Sequence, residues 1–145
     1  MNTAFMAILV TIIAGSAIAA QSTINNILSK HVGIWTTNAV VHGTGFLVAV
    51  VVTLLLEKNQ IFAVGGAPWF SLLGGTLGVG IVASIVFAIG KLNVGLTFAV
   101  LVVSQVVAAA LIDHFGWFGS TVIPLDYKKA LGISFLILGA FLIRR

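Results

Sequence analysis

The sequence predicts an all-α integral membrane protein with five transmembrane helices per protomer, on three observations. Of its 145 residues, 60% are hydrophobic and 7% are charged, with a mean hydropathy of +1.22. Soluble domains carry about 25% charged residues. The apolar residues fall into runs, four of them near the ~20 residues a helix needs to cross ~30 Å of hydrocarbon. Trp35, Trp69, Trp117 and Tyr127 stand at the ends of these runs, where an interfacial aromatic belt places them. Three acids and seven bases cannot cover the surface that a soluble core of this length leaves exposed.

The first span is expected over residues 3–26. Ala17-Ile18-Ala19 imitates the small-residue cleavage site of a signal peptide, but no charged segment precedes the run, four more apolar runs follow, and the chain begins at Met1, so a retained membrane helix is expected. The second, third and fourth spans are expected over 35–56, 69–89 and 94–112. The fifth is expected over 126–143. Its apolar part is short at about 1.5 Å per residue, but Asp126 after Pro124 suits a helix cap, and Lys128, Lys129, Arg144 and Arg145 can extend toward the headgroups from both ends. The connections are Lys30-His31-Val32-Gly33, 57–67, Lys91-Leu92-Asn93 and 114–127. The runs are apolar on every face, unlike the one-stripe helices of a soluble bundle. No internal repeat is visible, and a single transmembrane domain over 1–145 is expected.

The charges bear on assembly. With five spans, Lys58, Lys128 and Lys129 fall on one side and Lys30, Lys91, Arg144 and Arg145 on the other, three against four. The positive-inside rule then gives almost no orientation bias. A chain without bias can insert both ways, and two oppositely oriented copies form the inverted-repeat geometry of larger transporters. An inverted, antiparallel homodimer in the lipid bilayer is therefore expected; the alternative is that one charge of bias, lipid or the insertion machinery sets one orientation. The bases are scattered singly or in pairs, so the net charge of +4 does not read as a nucleic-acid surface. With no cysteine, disulfides, thiolate catalysis and cysteine metal sites are excluded.

Polar side chains at membrane depth are costly and face a partner or a cavity. Gln21 and Asn25 are four residues apart in the first helix, with Asn26 beside them. Trp35, Asn38, His42 and Gly45 form a stripe on the second. Gln105, Ala109 and Asp113 align on the fourth, bordered by Ser104. The substrate-binding candidates are Gln21, Asn25, Asn38, His42, Ser104 and Gln105. For the amides, hydrogen bonding between helices, worth roughly 0.6–2 kcal/mol, competes with ligand contact. His42 stands out because histidine can change charge near neutrality. Asp113, at the end of its span, suits either a cap or loop anchor or a functional role. Gly74, Gly75 and Gly78 in the third helix, and Gly132 and Gly139 in the fifth, are helix-packing candidates; residues 74–80 could alternatively offer a sliding or hinge surface. No strand or Lys-Ser/Thr accompanies these glycines as a nucleotide loop requires. No His, Asp or Glu spacing suits a metal site or a hydrolytic dyad, so no enzyme, metal or cofactor is expected.

These residues resemble the YdcZ-type family of the drug/metabolite transporter superfamily. The resemblance spans nearly the whole chain and is densest in the last third, through Ala99-Val100-Leu101-Val102, Ser104-Gln105, Leu111-Ile112-Asp113-His114-Phe115, Pro124-Leu125, Gly132 and Gly139-Ala140. Gln21, Asn38, and Trp69 followed by Gly75 and Gly78 add to it. The resemblance implies five helices per protomer, a bacterial inner-membrane location, and a relation to the four-helix small multidrug transporters and to ten-helix exporters with an inverted repeat. The small multidrug transporters carry an essential acid in the first helix; this chain has Gly15, Ser16 and Gln21 there. A pathway of amides, hydroxyls and a histidine suits a neutral or zwitterionic polar solute, or an anion, better than a hydrophobic cation. The expected function is transport of a small polar solute by alternating access between two protomers. The alternative is a non-transporting assembly or partner subunit whose amides only join helices.

Overall fold

The computed structural model describes residues 3–57 and 60–143, which are predominantly helical and include no strand. Lys58, Arg144 and Arg145, which enter the charge count, lie outside the described residues. Thr3–Val32, Ile34–Leu56, Trp69–Lys91 and Val94–Phe115 are long and apolar enough to cross a membrane. The chain divides into two compact units, Met1–Lys91 and Leu92–Arg145.

The first unit packs three helices against one another: α1 (Thr3–Val32), α2 (Ile34–Leu56) and α3 (Gly74–Lys91). At 30 residues, α1 is about 45 Å long. It runs beyond the expected 3–26 because nothing in Ile27-Leu28-Ser29-Lys30-His31-Val32 breaks a helix. Lys30 and His31 fall in its last turn, where cations complement the helix dipole. Gly33 alone separates α1 from α2. Its φ of 83° lies where side chains are disfavoured, so one residue reverses the chain. Gly33 N–H still donates to Ser29 O at 2.9 Å, and Thr37 N–H to Gly33 O at 3.1 Å. A short 3₁₀ segment, Trp69–Leu73, follows Pro68 before α3 begins at Gly74.

The second unit pairs α4 (Val94–Phe115) with α5 (Tyr127–Leu142). The Asn93 side chain caps α4 by accepting from Leu96 N–H at 2.8 Å, and Asp126 caps α5 by accepting from Lys129 N–H at 2.8 Å. Each satisfies an amide that the first helical turn leaves unpaired. Helix α4 continues past the expected residue 112 until Gly116, which closes it at φ 65° with its N–H on Ile112 O. The connection to α5 is fastened to the end of α4. Ser120 Oγ donates to Ile112 O at 3.2 Å, Ile123 N–H to Asp113 O at 2.9 Å, and Leu125 N–H to His114 Nδ1 at 3.0 Å. Phe115 stacks on Trp117 with ring centroids 5.3 Å apart.

Gly116 combines two constraints. Its backbone is left-handed, and a Cβ there would lie 2.7 Å from Val122 Cγ2. Gly116→Ala should lower thermal stability by more than the roughly 1–2 kcal/mol of the conformation alone. Adding Val122→Ala should recover the steric part only. Equal stability of the single and double variants would show that Val122 does not crowd this turn.

Candidate functional site

The first unit is built with polar groups inside. Among the described residues its buried apolar side chains are Ile85, Val86 and Ile89, all on α3. Facing inward from α1 are Ser22, Asn25 and Asn26, and from α2 Thr37 and Asn38. The outer faces carry exposed Ile, Leu, Val and Phe, the distribution lipid requires, since side-chain amides find partners only at helix contacts while hydroxyls can also bond within their own helix.

Two asparagines join the neighbouring helices to α3. Asn26 Nδ2 donates to Val86 O at 3.0 Å, and Asn38 Nδ2 donates to Val79 O at 2.9 Å. Val79 and Val86 are seven residues apart, two turns along one face. Each carbonyl has a second lone pair, so it can accept the amide without losing its helical bond. Thr37 is fully buried, its hydroxyl donating back to Gly33 O at 2.9 Å.

At Asn38 the satisfaction is incomplete. Oδ1 is buried with no hydrogen-bond partner, in a residue only 3% exposed. One turn further, half-buried His42 places Nδ1 3.1 Å from Asn38 O. A carbonyl oxygen only accepts, so Nδ1 carries the proton of this bond. In the neutral ring Nε2 is then an acceptor. Nε2 points at α3 beside Gly78, where a Cβ would lie 3.4 Å from it. Asn38 and His42 therefore present two acceptors, Oδ1 and Nε2, to which no donor on the described residues is bonded.

The structure thus sets Asn38 against Val79 and His42 beside Gly78, one turn apart on α2. Asn25 is buried on α1, while Gln21 is exposed and lies off the inward face formed by Ser22, Asn25 and Asn26. Trp35 is 72% exposed and lines an outer groove with Ile34, Gly80 and Phe87. In the second unit, Ser104 and Gln105 are exposed, and the Ser104 hydroxyl donates to Leu101 O at 2.8 Å. Gly74, Gly75, Gly132 and Gly139 have open space where a Cβ would stand. Thr37 and Thr97, buried in their separate units, were not among the sequence candidates. Thr97 Oγ1 also lacks a hydrogen-bond partner. The only available signal for them was a hydroxyl inside an apolar run, which many surface-facing helical threonines share.

The Asn26 contact gives a stability prediction. Asn26→Ala should destabilise the purified protein by about 1–2 kcal/mol. Asn26→Asp, although closer in shape, should be worse, because it sets an acceptor against Val86 O. Thermal unfolding of the Asp variant at or above the Ala variant would show that amide donation does not hold α1 to α3.

The family described as "Putative inner membrane exporter, YdcZ" matches residues 6–142. No curated protein and no solved structure matches the chain. The family match covers nearly the whole sequence, and the chain belongs to this family of membrane exporters.

Proposed function

With membership of the YdcZ family as premise, we propose that the chain is one protomer of a transporter that moves a small polar solute across the bacterial inner membrane by alternating access. In this reading α5 is the fifth membrane span, and two antiparallel protomers enclose the pathway. The observation that carries the proposal is the buried Asn38 Oδ1, which has no hydrogen-bond partner, with His42 Nε2 as a second acceptor one turn further along the same helix. A buried polar atom without a partner costs about 1–3 kcal/mol, so a donor that arrives and leaves is favoured there. Because both atoms accept, the solute that suits them brings N–H or O–H groups. This favours a neutral or zwitterionic solute over an anion. Gln21, Asn25, Ser104 and Gln105 are proposed as further solute contacts.

Helix α5 is 16 residues long, about 24 Å, and Lys128 and Lys129 at its start can reach the headgroup region. Gly139, with open space at its Cβ position, is proposed to face a second protomer. The near-equal charge count supports opposite orientations of the two copies. A second reading, a non-transporting subunit, draws support from Asn26 and Asn38 Nδ2, which join helices whether or not anything is carried. It leaves the unmatched oxygen of Asn38 without a role.

The test is solute-dependent thermal stabilisation across a metabolite panel, followed by transport of any stabilising solute in proteoliposomes. A ligand that binds only the folded state raises stability by mass action. His42→Ala should weaken solute binding by about tenfold, the equivalent of one hydrogen bond, and abolish transport with assembly intact; His42→Gln, which keeps an acceptor, should retain part of the binding. Lower stability with an unchanged transport rate per folded protein would make His42 purely structural. Topology is tested with single cysteines at Asn2 and Arg145 in this cysteine-free chain. Dual insertion labels each site from both sides of the membrane. A fixed five-span orientation labels the two sites from opposite sides, and labelling of both from one side only would rule out an odd number of spans.

A further inference from the structure

Between α4 and α5 of the second unit runs a groove of about 380 Å³, lined by Val106, Ala109, Ala110 and Asp113 on one wall and Lys129, Gly132, Ile133 and Leu136 on the other. Each set follows i, i+3, i+4, i+7, a single face over two turns, about 10 Å along the axis. Asp113 and Lys129 occupy the same end, where α4 finishes and α5 starts, and below them the lining has no polar side chain. The charged end is framed by aromatics suited to a membrane interface. Trp117 is 52% and Tyr127 75% exposed, and Lys128 Nζ lies 5.9 Å from the Tyr127 ring centroid.

The two charges are held apart and available. Their main connection is through the backbone of Ile123: its N–H donates to Asp113 O at 2.9 Å, and its carbonyl accepts a long bond from Lys129 Nζ at 3.4 Å. The Asp113 carboxylate has no hydrogen-bond or ion-pair partner among the described residues. An acid and a base side by side at the rim, above an apolar channel between two helices, are complementary to an amphiphile with a zwitterionic head.

We infer that this groove binds a phospholipid whose headgroup carries both a phosphate and a primary ammonium, of the phosphatidylethanolamine type. The phosphate pairs with Lys129, whose ammonium retains free donors. The lipid ammonium donates to Asp113. One acyl chain lies along Val106, Ile133 and Leu136 in the space left by Ala109, Ala110 and Gly132. A quaternary trimethylammonium has no N–H to give Asp113, and a headgroup without a cation sets a phosphate beside an unmatched carboxylate. A free zwitterionic solute would satisfy the rim but leave the apolar channel empty.

The test is native mass spectrometry of the full-length protein in detergent with phosphatidylethanolamine, phosphatidylcholine or phosphatidylglycerol of identical acyl chains, and with water-soluble glycerophosphoethanolamine. The wild type should retain phosphatidylethanolamine about tenfold more strongly than the other two lipids, the equivalent of one charge-assisted hydrogen bond, and should not retain the water-soluble analogue. Asp113→Asn should remove the preference for the primary ammonium. Gly132→Leu, at a position where a Cβ would meet no atom within 4 Å, should block the channel and lower retention with both charges intact. Equal retention of all three lipids, an unchanged preference in Asp113→Asn, or binding of the water-soluble analogue as strong as that of the lipid would each overturn the assignment.

Discussion

Donation of the Asn26 and Asn38 amides to the backbone of α3 is the constraint around which the first unit is organised. In lipid, apolar side chains gain little by leaving their surroundings for one another, so helices need packing and hydrogen bonds to associate specifically. The carbonyls of Val86 and Val79 supply fixed acceptors two turns apart on one helix. A single bond would leave α3 free to rotate about its contact, whereas two bonds from different helices set both its rotation and its height. The inward positions of Ser22, Asn25 and Thr37, and the outward positions of the large aliphatic residues, follow from that orientation.

The same arrangement explains how one side chain can serve two purposes. Asn38 uses its nitrogen in the contact with Val79 and leaves its oxygen unmatched. Its main-chain carbonyl fixes the ring of His42 through Nδ1, which determines the hydrogen-bonding character of Nε2. A structural bond thereby sets the chemistry of the neighbouring open group. In the proposed transport cycle, helix packing and solute recognition meet at this residue, so a change in how α2 lies on α3 changes what Asn38 and His42 can bind.

Much of the fold was legible because membrane helices are specified by crude properties. Run length, absence of charge and terminal aromatics located the four long helices, and Pro124-Leu125-Asp126 announced the cap of α5. The boundaries were less legible where no breaker coincided with the end of an apolar run. Helix α1 continues through polar Ser29 and Lys30 to Gly33, and α4 through Asp113 and His114 to Gly116, because the backbone responds to a glycine that can turn and is indifferent to the hydropathy that marks the bilayer edge. The shared face of Asn38 and His42 was legible, because residues four apart on a helix stand one above the other. The exposure of Gln21 was not legible, since Gln21 and Ser22 each have a polar neighbour four residues on, Asn25 and Asn26, and the packing of the helix buries Ser22, Asn25 and Asn26 but leaves Gln21 outside. Thr37 was hidden by its small size and by a hydroxyl bond within its own helix.

The single-residue junction at Gly33 has a consequence for biogenesis. A polypeptide that enters a membrane as a helical pair must carry the segment between the helices through the hydrocarbon, and the resistance to that passage rises with the polar mass in the segment. Here the hairpin tip contributes one glycine, with Lys30 and His31 as the nearby cargo. The polar mass that such a pair carries across is then largely that of Lys30 and His31 in the last turn of α1. The turn that joins the two helices so closely also keeps the segment between them to a single residue.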